Sequence, residues 1–220
     1  MEKVNYDNFA VTFSNSRNNM KWEEIEYFLE KYSNFIDGKK ILDIWCGNGR
    51  LLDHFIKSQF INEINYFGID SSKIMIEEAK KRFWSNDFLV CDMLQLNKLK
   101  IKKIESVFFI ASFHHLLTFE ERIKVLEDLK KIVIPWSYVF MTNWALESKL
   151  NKQKYEKSFI KNSQNKFWSK DFNIKIWEFK RFYHSFSLEE LQYLFKKTWY
   201  EVIENRLFEN NKNFISIIKT

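Results

Sequence analysis

The stretch from Lys39 to Leu52, KKILDIWCGNGRLL, restricts this chain to few architectures. Ile41, Leu42 and Ile44 form a short apolar run bounded by turn residues, the pattern of a buried parallel strand. Asp43 sits near its end. Gly47-Asn48-Gly49 then makes a tight turn, and Arg50 to Ile56 resumes with helical spacing. Strand, glycine turn, helix is how open α/β sheets hold nucleotide-type cofactors at their carboxyl edge.

The rest of the chain repeats that alternation. Trp22, Ile25, Phe28, Leu29, Tyr32 and Phe35 form a helical stripe within Lys21 to Phe35. Strands are predicted at Ile64–Ile69, Asp87–Cys91, Ser106–Ala111 and Tyr138–Thr142, with helices between them. Ser71 can cap the helix that buries Ile74, Met75 and Ala79, and Thr118 precedes one running to about Val133. Ser187 caps another, with Glu190 at the capping-box position. Trp199–Phe208 and Asn213–Ile218 are strand-like and flank a Glu-Asn-Asn-Lys turn. The pattern predicts an α/β fold: a doubly wound, mostly parallel sheet closed by an antiparallel C-terminal hairpin. Residues 1–220 are expected to form a single domain, with a helical N-terminal extension at 1–36 and an insert at 145–185.

Composition narrows the class. No apolar run reaches the ~18 residues of a membrane span, and the opening MEKVNYDNF has no apolar signal region. Cys46 and Cys91 are too few for a disulfide framework or a zinc cluster and suit reduced, buried thiols in a cytoplasmic protein. The net charge is +6, and its distribution is uneven. From Lys149 to Arg181 there are ten basic residues against Glu156, Asp171 and Glu178, a local excess larger than that of the whole chain. Aromatic residues are interleaved, among them Tyr155, Phe159, Phe167, Trp168, Phe172 and Trp177. Lysines can place phosphates and aromatic rings can stack on splayed bases, although a solvated lysine-rich face has the same composition.

Glycine is scarce. Typical usage is about 7%, yet the chain has four glycines and eight tryptophans. Trp45 follows the cofactor strand, Trp84 and Trp199 follow helix ends, and Trp136 follows Pro135 before a strand. All four are places where turn chemistry favours glycine. Glycine there would give ILDIGCGNG, KRFGSNDF, VIPGSYVF and KKTGYEVI, as expected if the gene comes from a lineage that reads UGA as glycine. The alternative is a divergent chain with four genuine tryptophans.

The segment Ile41–Leu52 resembles the D-x-G-x-G-x-G motif of class I S-adenosylmethionine-dependent methyltransferases, with Trp45 in place of the first glycine. Asp70, about twenty residues past the turn, suits a ribose diol, and Asp92 is similar to the residue of that class that meets the adenine. The resemblance implies a Rossmann-like seven-stranded sheet and S-adenosyl-L-methionine as cofactor. It implies a cofactor set of Asp43, Trp45, Gly47, Gly49, Asp70, Ser71, Asp92, Met93 and Ala111, with no metal. Four segments look more narrowly like the tRNA wobble-uridine (carboxymethyluridine) methyltransferases: FSNSRNNMKWEEIEYFL, the cofactor motif, SFHHLLTFEERIKVLEDL, and TNWALES followed by KRFYHSFSLEEL. By that resemblance Arg17 meets the cofactor or a substrate carboxylate. His114, His115 and Arg181 are catalytic, and Trp144, Arg181, Tyr183 and His184 line the substrate pocket. tRNA is the implied substrate, and a small zinc-containing activator protein is an implied partner. Two other classes stay open: a small-molecule methyltransferase with the basic insert as a lid, and a catalytically inactive RNA-binding scaffold if an indole at position 45 fills cofactor space.

Overall fold

The computed structural model describes residues 22–85, 87–176 and 179–220. Arg17 lies outside them, as do Trp177 and Glu178 of the insert. Five parallel strands come first: β1 (Lys40–Ile44), β2 (Asn65–Asp70), β3 (Phe88–Val90), β4 (Ile104–Ile110) and β5 (Val133–Trp144). Strands β6 (Lys170–Ile176) and β7 (Phe179–Ser185) pair as a separate antiparallel ribbon. Strands β8 (Glu201–Leu207) and β9 (Asn213–Lys219) return as a hairpin to the main sheet, whose order is β3-β2-β1-β4-β5-β9-β8. β9 runs antiparallel to both its neighbours. The strand order reverses between β1 and β4, the position at which open α/β sheets form a binding crevice.

Helices α1 (Glu23–Tyr32), α2 (Arg50–Lys57) and α3 (Lys73–Phe83) cover one face. α4 (Phe119–Leu129) and, after the short α5 (Lys152–Tyr155), α6 (Leu188–Lys197) cover the other. Strand alternation divides the core between them. Leu42 and Ile44 join Val107, Phe109, Val139 and Met141 under α4 and α6. Ile41 joins Phe108, Phe140 and Ile217 under α1 to α3, and the Phe108 and Phe140 rings stack at 4.9 Å. Both faces are covered, so β1 and β4 read as nearly continuous apolar runs. Emptying such a site, as in Phe108→Ala, costs about 3–5 kcal/mol.

Several local expectations change. Ser71 is exposed and is not the cap of α3; Ser72 is, its hydroxyl accepting the Met75 N–H at 3.2 Å. α4 stops at Leu129, earlier than expected, although Thr118 and Glu121 complete a full capping box at its start. β5 is longer at both ends than Tyr138–Thr142, with an irregularity opposite Ile104–Ser106. Glu190 makes no capping box. The Ser187 hydroxyl accepts its N–H at 3.1 Å, but its carboxylate turns inward to Arg122, Asn165 and His184. Residues 145–185, expected to form an insert, contain α5 and the β6–β7 ribbon around a small core of Leu146, Phe172, Ile174 and Tyr183. Phe172, Ile174 and Ile176 alternate with Asn173 and Lys175, the period of two of a half-buried strand.

Candidate active site

The carboxyl ends of β1, β2 and β4 open into a cleft with about 770 Å3 of empty space, its mouth included. Its wall holds Asp43, Trp45, Gly47, Asp70 and Ala111 from the sheet edge. His114 and His115 join them from the turn after β4, Trp144 from the end of β5, and Arg181 and Tyr183 from β7.

The sheet-side wall is made by backbone. Trp45 and Cys46 both donate their N–H to Ile69 O, at 2.8 and 3.0 Å, carrying the β1–β2 pairing past the end of β1. Gly47 then takes φ +56° and donates its N–H to Asp70 Oδ2 at 2.9 Å. A Cβ at position 47 would meet nothing within 4 Å, so the turn leaves room for a ligand there. The other Asp70 oxygen accepts the Ser72 N–H at 2.8 Å. Asp43 is buried and accepts the Tyr66 hydroxyl at 2.6 Å. Burial pushes its carboxyl up to about 7; the Tyr66 bond works against this and the neighbouring Asp70 charge adds to it. Two carboxyl groups on one wall suit a cationic ligand. Cys46 is equally buried, which raises its thiol well above the usual range and leaves it inert.

The facing groups come from connections that the fold converges on the cleft. His114 is buried, and its Nδ1 accepts the Trp144 N–H at 3.2 Å. The ring proton therefore sits on Nε2, which is buried and has no hydrogen-bond partner among the described residues. Burial, reinforced by His115 and His184, holds His114 well below the ordinary histidine range, so the ring is neutral at pH 7. His115 Nδ1 bonds Phe182 O at 2.8 Å and ties the turn to β7. Tyr183 stacks on Trp144 with ring centres 4.8 Å apart and planes 14° from parallel. Arg181 lies two residues before Tyr183, so strand alternation gives both the same face.

That alternation also removes His184. It faces away from the cleft wall and bridges two carboxylates, with Nδ1 to Asp171 at 2.6 Å and Nε2 to Glu190 at 2.9 Å. Burial alone would raise Glu190, but its bonds to His184 bring it down to about 2. His184 is thus a clasp holding the ribbon on α6, off the cleft wall where it was expected. Four of the expected cofactor residues are also absent from the wall. Gly49 caps α2 at φ +80°, where a Cβ would come within 2.5 Å of the Phe83 ring, so packing requires it. Ser71 points to solvent, Asp92 caps a short turn by accepting the Leu94 N–H at 2.9 Å, and Met93 is in the core. Sequence reasoning missed Arg50, whose guanidinium lies 4.4 Å above the Trp22 ring beside the cleft; its place in the first turn of α2 was the available signal. Among the described residues, no group of three His, Cys, Asp or Glu side chains could hold a metal, and no helix is long and apolar enough to cross a membrane.

The open turn at Gly47 and the acids Asp43 and Asp70 fit S-adenosylmethionine, which carries a sulfonium, an ammonium and a ribose diol. Asp70 would hold the diol, and Asp43 with the Gly47 turn the aminoacyl tail. The indole of Trp45 is the exception: it stands on the same wall, 4.9 Å from the His115 ring.

Comparison with known proteins agrees with this geometry. A methyltransferase domain family matches residues 41–135. The tRNA (carboxymethyluridine(34)-5-O)-methyltransferase of Macaca fascicularis is 28% identical over 161 residues, covering 73% of this chain and 22% of that protein. The Arabidopsis thaliana protein of the same name is 33% identical over 143 residues, covering 64% of this chain and 32% of its own length. The chain thus spans between about a fifth and a third of these two relatives. A chain from the Haloferax volcanii complex of the Trm112 methyltransferase activator with a methyltransferase shares the fold, with a TM-score of 0.70, 14% identity and coverage of 100% of this chain and 99% of that one. A glycine turn at the switch point, acids ending β1 and β2, the 3-2-1-4-5 strand order closed by an antiparallel hairpin, and the matched domain together make this chain a class I S-adenosylmethionine-dependent methyltransferase domain, similar to the tRNA carboxymethyluridine methyltransferases.

Proposed function

We propose that the chain methylates the carboxylate of a carboxymethyl-modified wobble uridine in tRNA. One observation carries the reading: a buried guanidinium, Arg181, shares a cleft wall with the Trp144–Tyr183 stack and with the cofactor acids. A fixed, planar guanidinium suits a carboxylate better than any other small anionic group except phosphate. Stacked aromatic rings suit a base turned out of its helix. Bound S-adenosylmethionine supplies an electrophilic methyl group.

A carboxylate is already ionised at pH 7, so no general base is required. The neutral His114 serves as a donor through Nε2–H, and Arg181 holds the substrate oxygen in line. Rate enhancement then rests on orientation. Lys154, Lys157, Lys161 and Lys166 on the insert are exposed, and in this reading they meet the tRNA backbone. A small activator protein, of the kind paired with the Haloferax volcanii methyltransferase, is part of the proposal, as is a cytoplasmic location.

The test is mass spectrometry of tRNA nucleosides from cells with and without the gene. Loss of the methyl ester with accumulation of the free carboxymethyl nucleoside supports the reading. An unchanged nucleoside profile overturns it and leaves the small-molecule alternative.

A further inference from the structure

We infer that positions 45, 84, 136, 168 and 199 are glycine in the natural polypeptide, their shared codon being read as glycine in the source cell, so that the cofactor cleft has glycine at position 45. Seven of the tryptophans lie among the described residues, and these five have φ of 68°, 51°, 70°, 66° and 60°. L-residues with side chains enter this region a few per cent of the time, mostly as asparagine or aspartate. Only four other described non-glycine residues do so, and two of them are Asn162 and Asn211. Three of the four glycines, by contrast, share it.

Each position carries glycine chemistry. Trp199 ends α6 in a Schellman motif: Tyr200 N–H bonds Phe195 O at 2.9 Å and Trp199 N–H bonds Lys196 O at 3.0 Å. Trp84 is the left-handed cap of α3. Trp168 closes a turn, its N–H bonding Asn165 O at 3.0 Å, and the sequence alone gave no sign of it. The four outside the cleft are also exposed to an extent foreign to tryptophan: 93% at Trp84, 69% at Trp136, 72% at Trp168 and 86% at Trp199. Trp22 and Trp144 differ on both counts. Trp22 has φ −115° and lies against Arg50; Trp144 ends β5 and stacks on Tyr183. These two are genuine tryptophans. Backbone strain thus sorts one residue type into two populations, and exposure agrees at the four positions outside the cleft, which is what two codons written as one amino acid produce.

The consequence at position 45 rests on the methyltransferase reading; the codon assignment does not. With glycine, the turn reads Asp-Ile-Gly-Cys-Gly-Asn-Gly, and the indole beside His115 is gone from the wall that would hold the aminoacyl tail.

Two measurements test the inference. The gene should carry UGA at all five positions and UGG at 22 and 144, and peptide mass spectrometry of the protein from its native cells should show glycine at the five and tryptophan at the two. UGG, or an indole mass, at any of the five overturns the assignment. Separately, calorimetry with S-adenosylhomocysteine compares the chain as written with the Trp45→Gly form, and the glycine form should bind at least tenfold tighter. Equal affinity overturns the steric consequence at position 45. Glycine by mass but no binding to either form would leave the codon assignment standing and sink the methyltransferase reading.

Discussion

Replacing Trp199 by glycine should stabilise the chain. The residue sits at φ +60° in the Schellman turn that ends α6, and both bonds of that motif are backbone bonds that survive the change. An L-residue in the left-handed region costs about 1–2 kcal/mol, which Trp199→Gly releases. Glycine gives back about 0.4–1 kcal/mol through the greater freedom of the unfolded chain. Lost packing is small, because the indole is almost wholly in solvent and Tyr200, which makes the apolar contact behind the turn, is untouched. The net gain is about 1 kcal/mol, equivalent to a rise in Tm of roughly 2–4 °C for a chain of this size. Trp84→Gly, at the end of a different helix, should add a similar increment, since distant sites without shared partners are additive. Asn211→Gly is the control: it also has positive φ, but asparagine tolerates that conformation and should change Tm little. Thermal unfolding followed by near-ultraviolet circular dichroism measures all three. A Tm for Trp199→Gly equal to or below that of the parent would refute the assignment of left-handed strain.

Other outcomes follow from the site. Asp43 has its folded-state carboxyl pushed up to about 7 from an ordinary 3.8, so the folded chain holds the proton more tightly. Its stability is full below about pH 4 and falls as pH rises toward 7. Asp43→Asn, which still accepts the Tyr66 hydroxyl, should match the parent near pH 4 and exceed it by up to about 4 kcal/mol at pH 7, at about 1.36 kcal/mol per unit; parallel urea-melt profiles would contradict this. Asp70→Ala should weaken S-adenosylhomocysteine binding by roughly 1–3 kcal/mol, and an unchanged Kd would reduce Asp70 to a loop cap. Changing Lys154, Lys157 and Lys161 to alanine should flatten the slope of log tRNA affinity against log salt, by about 0.7–0.9 for each phosphate left without its lysine. Arg181→Ala should instead lower the methyl-transfer rate with tRNA affinity nearly intact, and the reverse pattern would exchange their roles.

The sequence by itself determined the fold and half of the cleft. Strand, turn and helix at Ile41–Leu52 are local, and side-chain periodicity encodes which residues face the core, so β1, β2, β4 and the acids Asp43 and Asp70 are legible from residue order alone. Only the tertiary structure decided the other half. Whether a side chain reaches a cleft depends on register and on the direction in which its strand packs. That is why Tyr183 lines the site while His184, one residue on, clasps Glu190 on the opposite face. The alternation of Phe172, Ile174 and Ile176 in β6 was legible too, but its pairing with β7 as a ribbon apart from the main sheet is a tertiary fact. The neutral state of His114 escaped it because that state comes from burial and from the Trp144 N–H, thirty residues away in the chain. The odd tryptophans were visible in composition. Their common left-handed backbone, Trp168 included, was a property of the folded turns alone, where φ is set by the bonds that close each turn and not by the residue written there.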